Sequence, residues 1–360
     1  MRPTRALINL SNLRNNTERA RKLSRASSFM GVVKAQAYGH GAIEVAREIE
    51  DLVDYFGVAT VEEGIELRQG GIRKPIAILG GFYPGEEEKL EEFNLEPAVF
   101  KNEHIESLSL AGKRRNRPFK VHMKVDTGLG RLGFPWDNPE VFKFKEGIEV
   151  VSAFTTLSAA DNQGIPTVEE QYNRMLRVAS ELKFKERGVM LSIANSAALL
   201  LHPEVHADMV RPGIILYGIP PFPSKVEGFR PVMKFTSRII FLKEVPPGTP
   251  LGYGGSYVTT ERRLIATIPV GYDDGVFRNL SNRGWFYING QKAPIVGRVS
   301  MDLTLLDVSD IDDVKEGDEV TIFHGGEHLW EMSRLIDTIP YEIMCRVGKR
   351  VPRIYIRENN

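Results

Sequence analysis

Short runs of β-branched and aromatic residues alternate with segments of helical apolar spacing through roughly the first 220 positions. The pattern predicts strands at 29–34, 55–59, 76–79, 96–100, 119–125, 150–157, 190–194 and 209–216. Helices are predicted at 42–50, at 61–70 and at 168–185, where Tyr172, Met175, Leu176, Ala179 and Leu182 keep one face. Parallel strands need crossover helices, and about eight strand–helix units in this length fit a closed (β/α)8 TIM-type barrel better than an open sheet.

The texture changes after Tyr217-Gly218. Ile219-Pro220-Pro221-Phe222-Pro223-Ser224 is a proline-dense joint, which divides the chain into a barrel at 1–220 and a second domain at 221–360. Beyond it helical periodicity nearly vanishes. Runs at 238–245, 264–270, 284–288, 294–299 and 319–323 are broken by Gly, Pro or Asn turns, which predicts a C-terminal domain built mostly of β-strands.

Composition narrows the function classes. The chain has 360 residues, 42% hydrophobic and 26% charged, near the globular average. Its 47 Lys and Arg cancel its 47 Asp and Glu, so no net field draws it to nucleic acid or to an anionic membrane. The single cysteine, Cys345, excludes an intrachain disulfide and a cysteine-rich zinc site, and no metal is expected. No signal-peptide core or membrane-span run is visible, and a cytoplasmic location is expected.

Active sites of α/β barrels lie at the C-terminal ends of the strands. The first strand runs into Val32-Val33-Lys34-Ala35-Gln36-Ala37-Tyr38-Gly39-His40-Gly41. Lys34 there could be a charge snorkelling to solvent, or an amine of lowered pKa able to form a Schiff base, with Tyr38 reaching an anion in the same mouth. Asn195-Ser196 follows the seventh strand, and Arg211-Pro212-Gly213-Ile214 ends the eighth, the place where barrels often hold phosphate. Asn195 or Ser196 could equally be a plain helix N-cap. A lysine and a phosphate site in one barrel mouth point to pyridoxal phosphate (PLP).

The lysine segment resembles the PLP signature of the alanine racemase family. The resemblance continues through Lys124-Val125-Asp126-Thr127-Gly128-Leu129-Gly130-Arg131, Ala194-Asn195-Ser196, Arg211-Pro212-Gly213-Ile214, Gly252-Tyr253-Gly254, Pro269-Val270-Gly271-Tyr272, Val299-Ser300-Met301-Asp302 and Tyr341-Glu342. It covers essentially the whole chain, in the family's order. It implies PLP-dependent racemisation of L- and D-alanine, which supplies D-alanine for peptidoglycan where the host builds a cell wall. It also implies a head-to-tail homodimer, each active site joining one barrel to the partner's second domain.

The resemblance further implies the residue roles. Lys34 is the Schiff-base lysine, exchanging the proton on the D side, and Tyr253 of the partner subunit is the base on the L side. Tyr38, Asn195, Ser196, Gly213, Ile214 and Tyr341 bind the cofactor, and Arg211 faces its ring nitrogen. Arg131 and the backbone of Met301 hold the substrate carboxylate, supported by Asp302 and by Lys124, which is carboxylated in several members. Tyr272, Arg278 and Arg298 belong to the substrate channel. Racemisation removes a proton from one face of Cα and returns one to the other, so two bases must flank it.

This chain departs from the family pattern at Gln36 for asparagine, Thr156 and Ser192 for histidines, and Asp273 for alanine. Thr156 matters most, because the histidine it replaces helps to orient the ring-nitrogen arginine. Three other readings remain open at this stage: racemisation of serine or a larger amino acid, a decarboxylase of similar shape, and a non-catalytic PLP-binding protein. Arg211 and the position of Cys345 speak against the decarboxylase. Tyr253, Met301 and the second domain speak against the carrier.

Overall fold

The computed structural model describes residues 2–162 and 166–357; the ends of the two expected domain spans, at residues 1 and 360, lie outside them. The eight expected barrel strands form at Ser28–Val32, Tyr55–Val58, Ile76–Ile78, Glu96–Val99, Phe119–Asp126, Ile148–Phe154, Met190–Ser192 and Met209–Val210. Each pairs in parallel with the next, and Met209 and Val210 return to Ser28 and Phe29, so the sheet closes on itself. Strands buried on both faces read as continuous apolar runs, and all five positions of Ser28–Val32 are indeed buried. The last strand is shorter than its apolar run implies. It stops at Val210, and Ile214–Tyr217 coil into a 3-10 turn instead.

The crossover helices follow their capping chemistry. Val168–Glu181 opens on a capping box, with Thr167 Oγ1 accepting from Glu170 N–H at 3.2 Å and Glu170 Oε2 accepting from Thr167 N–H at 2.7 Å.

The second lobe differs from expectation in three ways. A strand at Arg5–Asn9, within the span expected of the barrel, pairs with Met233–Arg238 and Arg353–Ile356 in the other lobe's six-stranded sheet. The single run read at 238–245 is two strands in two sheets, Met233–Arg238 and Phe241–Val245, and the run at 294–299 is mostly loop. Helices do not vanish, because Gly326–Ile336 and Pro340–Cys345 form after the last long strand. The lobe's other regular elements are mostly strands, including the three-stranded sheet of Phe241–Val245, Arg263–Ile268 and Thr304–Asp307 and the ribbon Pro250–Leu251 with Tyr257–Val258, joined by loops and short 3-10 turns.

The lobes are stapled where the chain passes between them. Asn16 of helix Leu10–Leu23 is wholly buried and donates to Leu216 O at 3.0 Å and Arg230 O at 2.7 Å, while its Oδ1 accepts from Arg230 N–H at 2.8 Å. Gly218 sits at φ 75°, and a Cβ there would lie 1.8 Å from Arg230 O, so only glycine fits this approach.

Candidate active site

The first barrel strand delivers Lys34 into a turn of unusual hand. Ala35, Gln36, Ala37 and Tyr38 all have φ between 52° and 56°, a left-handed coil of non-glycine residues. Such a conformation costs roughly 1–2 kcal/mol per residue, about 4–8 kcal/mol in all, so the surroundings must hold it. Glu63 contributes by accepting from Ala35 N–H and Ala59 N–H, both at 2.7 Å, which ties the turn to the end of the second strand. Gln36 donates to Glu66 Oε2 at 2.6 Å.

The turn opens on a cavity of about 480 Å³ at the C-terminal mouth of the barrel. Lys34, Tyr38, Lys124, Arg131, Asn195, Ser196, Arg211, Gly213, Ile214 and Tyr341, each expected at the site, all line it. Its electrostatics are lopsided: four cations, Lys34, Lys124, Arg131 and Arg211, face the cavity, and its lining has no carboxylate among the described residues. Burial lowers the pKa of Lys34, and the charge of Arg131 adds to this. Lys124 is pushed down to about 8, first by burial and then by Arg211, Arg131 and Lys34. Burial alone brings Arg211 down to about 10.

Arg211 is held by neutral groups. One terminal nitrogen donates to Ser192 Oγ and the other to Thr155 O, each at 2.5 Å. Ser192 in turn donates to Met209 O at 2.8 Å. The loop carrying Thr155 is pinned from outside the cavity by Gln171, whose Nε2 donates to Thr127 Oγ1 at 2.9 Å and Thr156 O at 3.1 Å. Thr156 lines the cavity. Of the four departures from the family pattern, Ser192 holds the arginine directly and Thr156 lines the same cavity beside Thr155, so hydroxyl and carbonyl acceptors orient the guanidinium.

Gly213 and Ser196 make the anion end. Gly213 N–H donates to Ser196 Oγ at 2.8 Å, which leaves the serine its own hydrogen to offer a ligand. A Cβ on Gly213 would lie 2.2 Å from the Tyr38 hydroxyl, so the backbone must be bare for the tyrosine to reach in. Asn195 does both things weighed for it: it lines the cavity, and its Oδ1 caps helix Ser196–Leu201 by accepting from Ala198 N–H at 3.0 Å. Cations, hydroxyls and a bare backbone, with no acid, are the donor set a phosphorylated, carboxylate-bearing adduct requires, and the residues present fit PLP.

Of the second lobe's candidates, Tyr341 lines the cavity and the others lie away from it. Tyr253 sits at the tip of the Pro250–Leu251 and Tyr257–Val258 ribbon, 72% exposed, and Tyr272 and Met301 are 44% and 51% exposed. None of these three, nor Arg278, Arg298 or Asp302, lines the cavity. Asp302 accepts from Arg350 at 2.7 Å. Residues that shape the site but carry no sequence signal are Glu63, Gln171 and Tyr217; each hydrogen-bonds a backbone atom of another segment, at Ala35, Thr156 and Val32.

A closed parallel barrel with a lysine on its first strand end and an acid-free anion cradle at its last two defines the class of barrel enzymes that hold a phosphorylated cofactor. The comparisons narrow the class. Residues 8–221 match the family model for the alanine racemase N-terminal domain, and residues 232–355 that for the C-terminal domain. Alanine racemase from Geobacter sulfurreducens is 40% identical over 99% of this chain and 97% of its own length. That from Carboxydothermus hydrogenoformans is 41% identical over 99% of this chain and 100% of its own. Among solved structures, alanine racemase of Clostridium difficile 630 superposes with a TM-score of 0.90 at 35% identity, covering 100% of this chain and 97% of that one. Alanine racemase of Bartonella henselae, described with covalently bound pyridoxal phosphate, gives 0.90 at 31% identity, covering 99% and 100%.

The chain belongs to the alanine racemase family. It is a PLP-dependent enzyme that racemises alanine. The decarboxylase and carrier readings fall away with this whole-chain likeness. No helix among the described residues is long and apolar enough to cross a membrane.

Proposed function

We propose that Lys34 and Tyr253 are the two bases of this racemase, Tyr253 acting from a partner subunit in a homodimer. The observation that supports this most directly is that Lys34 lines a cavity with Tyr38, Asn195, Ser196, Arg211, Gly213, Ile214 and Tyr341, whereas Tyr253 of the same chain does not line it. Tyr253 is a large side chain left mostly exposed on a glycine-flanked ribbon, which suits a group that completes a neighbouring site. Bound PLP supplies the electron sink that makes the Cα proton of alanine acidic.

The chain's own residues do the rest. Tyr38, Ser196, Tyr341 and the backbone at Gly213 and Ile214 hold the phosphate, with Asn195 placing Ser196 at its helix start. Arg211 would face the ring nitrogen as a cation and disfavour its protonation, which would limit electron withdrawal and favour simple proton transfer over transamination. Arg131 pairs with the substrate carboxylate, joined by the backbone of Met301 from the partner subunit. Lys34 Nζ, its pKa lowered by burial, takes or returns the proton on the D face, and the hydroxyl of Tyr253 does so on the L face.

Lys124, with a pKa near 8, is in part a neutral amine at physiological pH and so able to take up carbon dioxide; the carbamate would steady Arg131. Asp302 supports the Met301 loop, and Tyr272, Arg278 and Arg298 line the substrate's approach. D-Alanine for cell-wall peptidoglycan is the use this activity serves, in the reducing cytoplasm that a lone cysteine suits.

The test is loss of optical rotation and Cα deuterium incorporation with L-alanine in D₂O. Wild type should exchange and racemise, whereas Lys34→Ala and Tyr253→Phe should fail. Racemisation by either variant at the wild-type rate would overturn the two-base assignment.

A further inference from the structure

The conformation of the lysine turn raises the question of what enforces it. Glu63 and Gln36 secure its start and middle. The far end, at Ala37 and Tyr38, is met by His40, a wholly buried residue outside the cavity. His40 Nδ1 lies 2.8 Å from Ala37 O and 3.0 Å from Tyr38 O. Both neighbours are carbonyls, so the ring carries its proton on Nδ1 and shares it between them. Nε2 is then a buried lone pair, and it has no partner among the described residues. Burial brings the imidazole down to about 4 against the pull of the two carbonyls, so it stays neutral through the working pH range.

The ring is itself fixed. It stacks on Tyr217, centroids 4.5 Å apart and planes inclined by 29°. Tyr217 also meets the ring of Tyr38, centroids 4.9 Å apart, and its hydroxyl donates to Val32 O at 3.0 Å. One aromatic column thus touches the chain before Lys34, at Val32, and after it, at Tyr38. The last strand secures the backbone beyond the ring: Arg353 Nε donates to Gly39 O at 3.0 Å and the Tyr355 hydroxyl to His40 O at 3.2 Å.

We propose that His40 is a positioning residue for the reaction: its Nδ1–H clamps the carbonyls of Ala37 and Tyr38, and with Tyr217 it sets where Lys34 and Tyr38 face the cofactor. The proposal rests on the assignment of Lys34 and Tyr38 to PLP. If the clamp is lost, the turn can relax toward ordinary backbone angles, which carries the Tyr38 ring away from the bare backbone of Gly213 and re-aims the lysine.

Three substitutions separate the donor from the ring. His40→Phe keeps a ring against Tyr217 and removes the donor, His40→Asn places an amide N–H near the position of Nδ1, and His40→Gln places it near that of Nε2. For each holoenzyme, kcat and KM for alanine and the pH at which the bound cofactor's visible absorbance titrates are measured. The PLP dissociation constant is measured by titrating the stripped protein. Phe and Gln should each weaken PLP by about tenfold, lower kcat with little change in KM, and move the absorbance titration, whereas Asn should stay within about threefold of wild type.

If His40→Phe does not fold, Tyr217→Phe tests the same column from Val32 and should weaken PLP in the same direction; an unchanged dissociation constant there overturns the proposal. Wild-type behaviour of both Phe and Gln also overturns it. So does an equal loss in all three His40 variants that parallels a fall in melting temperature, because that marks a role in the fold alone. Lys34→Ala, run alongside, reports on the underlying assignment: undiminished kcat there sinks that assignment, whereas its loss beside an unaffected His40→Phe sinks only the clamp.

Discussion

Arg2 grips Asp274 with both terminal nitrogens, each 2.6 Å from a carboxylate oxygen, although 272 positions separate them. Asp274 is wholly buried, and the same carboxylate accepts from Arg350 at 2.7 and 3.0 Å and from Gly271 N–H at 2.9 Å. Arg350 continues to Asp302 at 2.7 Å and to Met301 O at 3.1 Å. The start of the chain therefore braces the loop proposed to meet the substrate carboxylate.

Asp274→Asn leaves two partly exposed arginines facing a neutral amide and should destabilise the fold by about 1–3 kcal/mol in urea denaturation. The pH dependence has a definite sign. Burial alone would raise the pKa of Asp274, and hydrogen bonds from Arg2 and Arg350 outweigh it, so the folded value lies below the usual one. The contribution is complete above the unfolded value of about 3.9 and is lost as pH falls through the lower folded value. The variant should lack that part of the acid slope; an unchanged slope would assign it to other carboxylates.

Ser192→Ala removes one of the two acceptors that orient Arg211 and strands a buried guanidinium N–H. The expected loss is about 1–3 kcal/mol, read as stability of the holoenzyme and as weakened PLP binding. Ser192→Thr, which keeps the hydroxyl, should recover most of it.

Arg211→Glu places, at the position proposed to face the ring nitrogen, a group able to keep that nitrogen protonated. Transamination of alanine, measured as pyruvate formed per racemisation event, should rise. No increase would argue that the arginine does not set reaction type.

The proposed sharing of sites between subunits predicts a complementation pattern. Mixing subunits of Lys34→Ala and Tyr253→Phe, each inactive alone, gives heterodimers in which one barrel pairs intact Lys34 with intact Tyr253. A random equimolar mixture should regain about a quarter of wild-type activity, since half the dimers are mixed and each has one competent site of two. No recovery after demonstrated subunit exchange would place both bases in one chain.

The cation-rich cavity predicts anion stabilisation of the cofactor-free protein. Inorganic phosphate should raise its unfolding free energy by about 2.7 kcal/mol at a hundred times the dissociation constant, and Ser196→Ala should weaken that effect. An equal effect of chloride at matched ionic strength would show screening instead of a site.

The barrel was legible because burial on both faces forces its strands into continuous apolar runs at regular intervals, from 29–34 to 209–216. Lys34, Arg211 and Ser196 were legible because strand ends of a barrel point to one mouth. The strand Arg5–Asn9 was not, since five residues of mixed polarity do not say which sheet they join, and its partners lie more than 220 positions away. Helix Gly326–Ile336 was hidden within a domain whose other runs read as strands. The left-handed turn was invisible for a different reason: Ala-Gln-Ala-Tyr contains no glycine or asparagine to announce it, so only the combined hold of Glu63, His40 and Tyr217 imposes it. By itself, then, the order of apolar runs determined the barrel and which strand-end residues share its mouth, while the chemistry was legible only through the family resemblance those residues carry. The tertiary structure alone decided how Arg211 is oriented without a histidine and how Lys34 is aimed, because both depend on hydrogen bonds to backbone atoms whose positions no local pattern encodes.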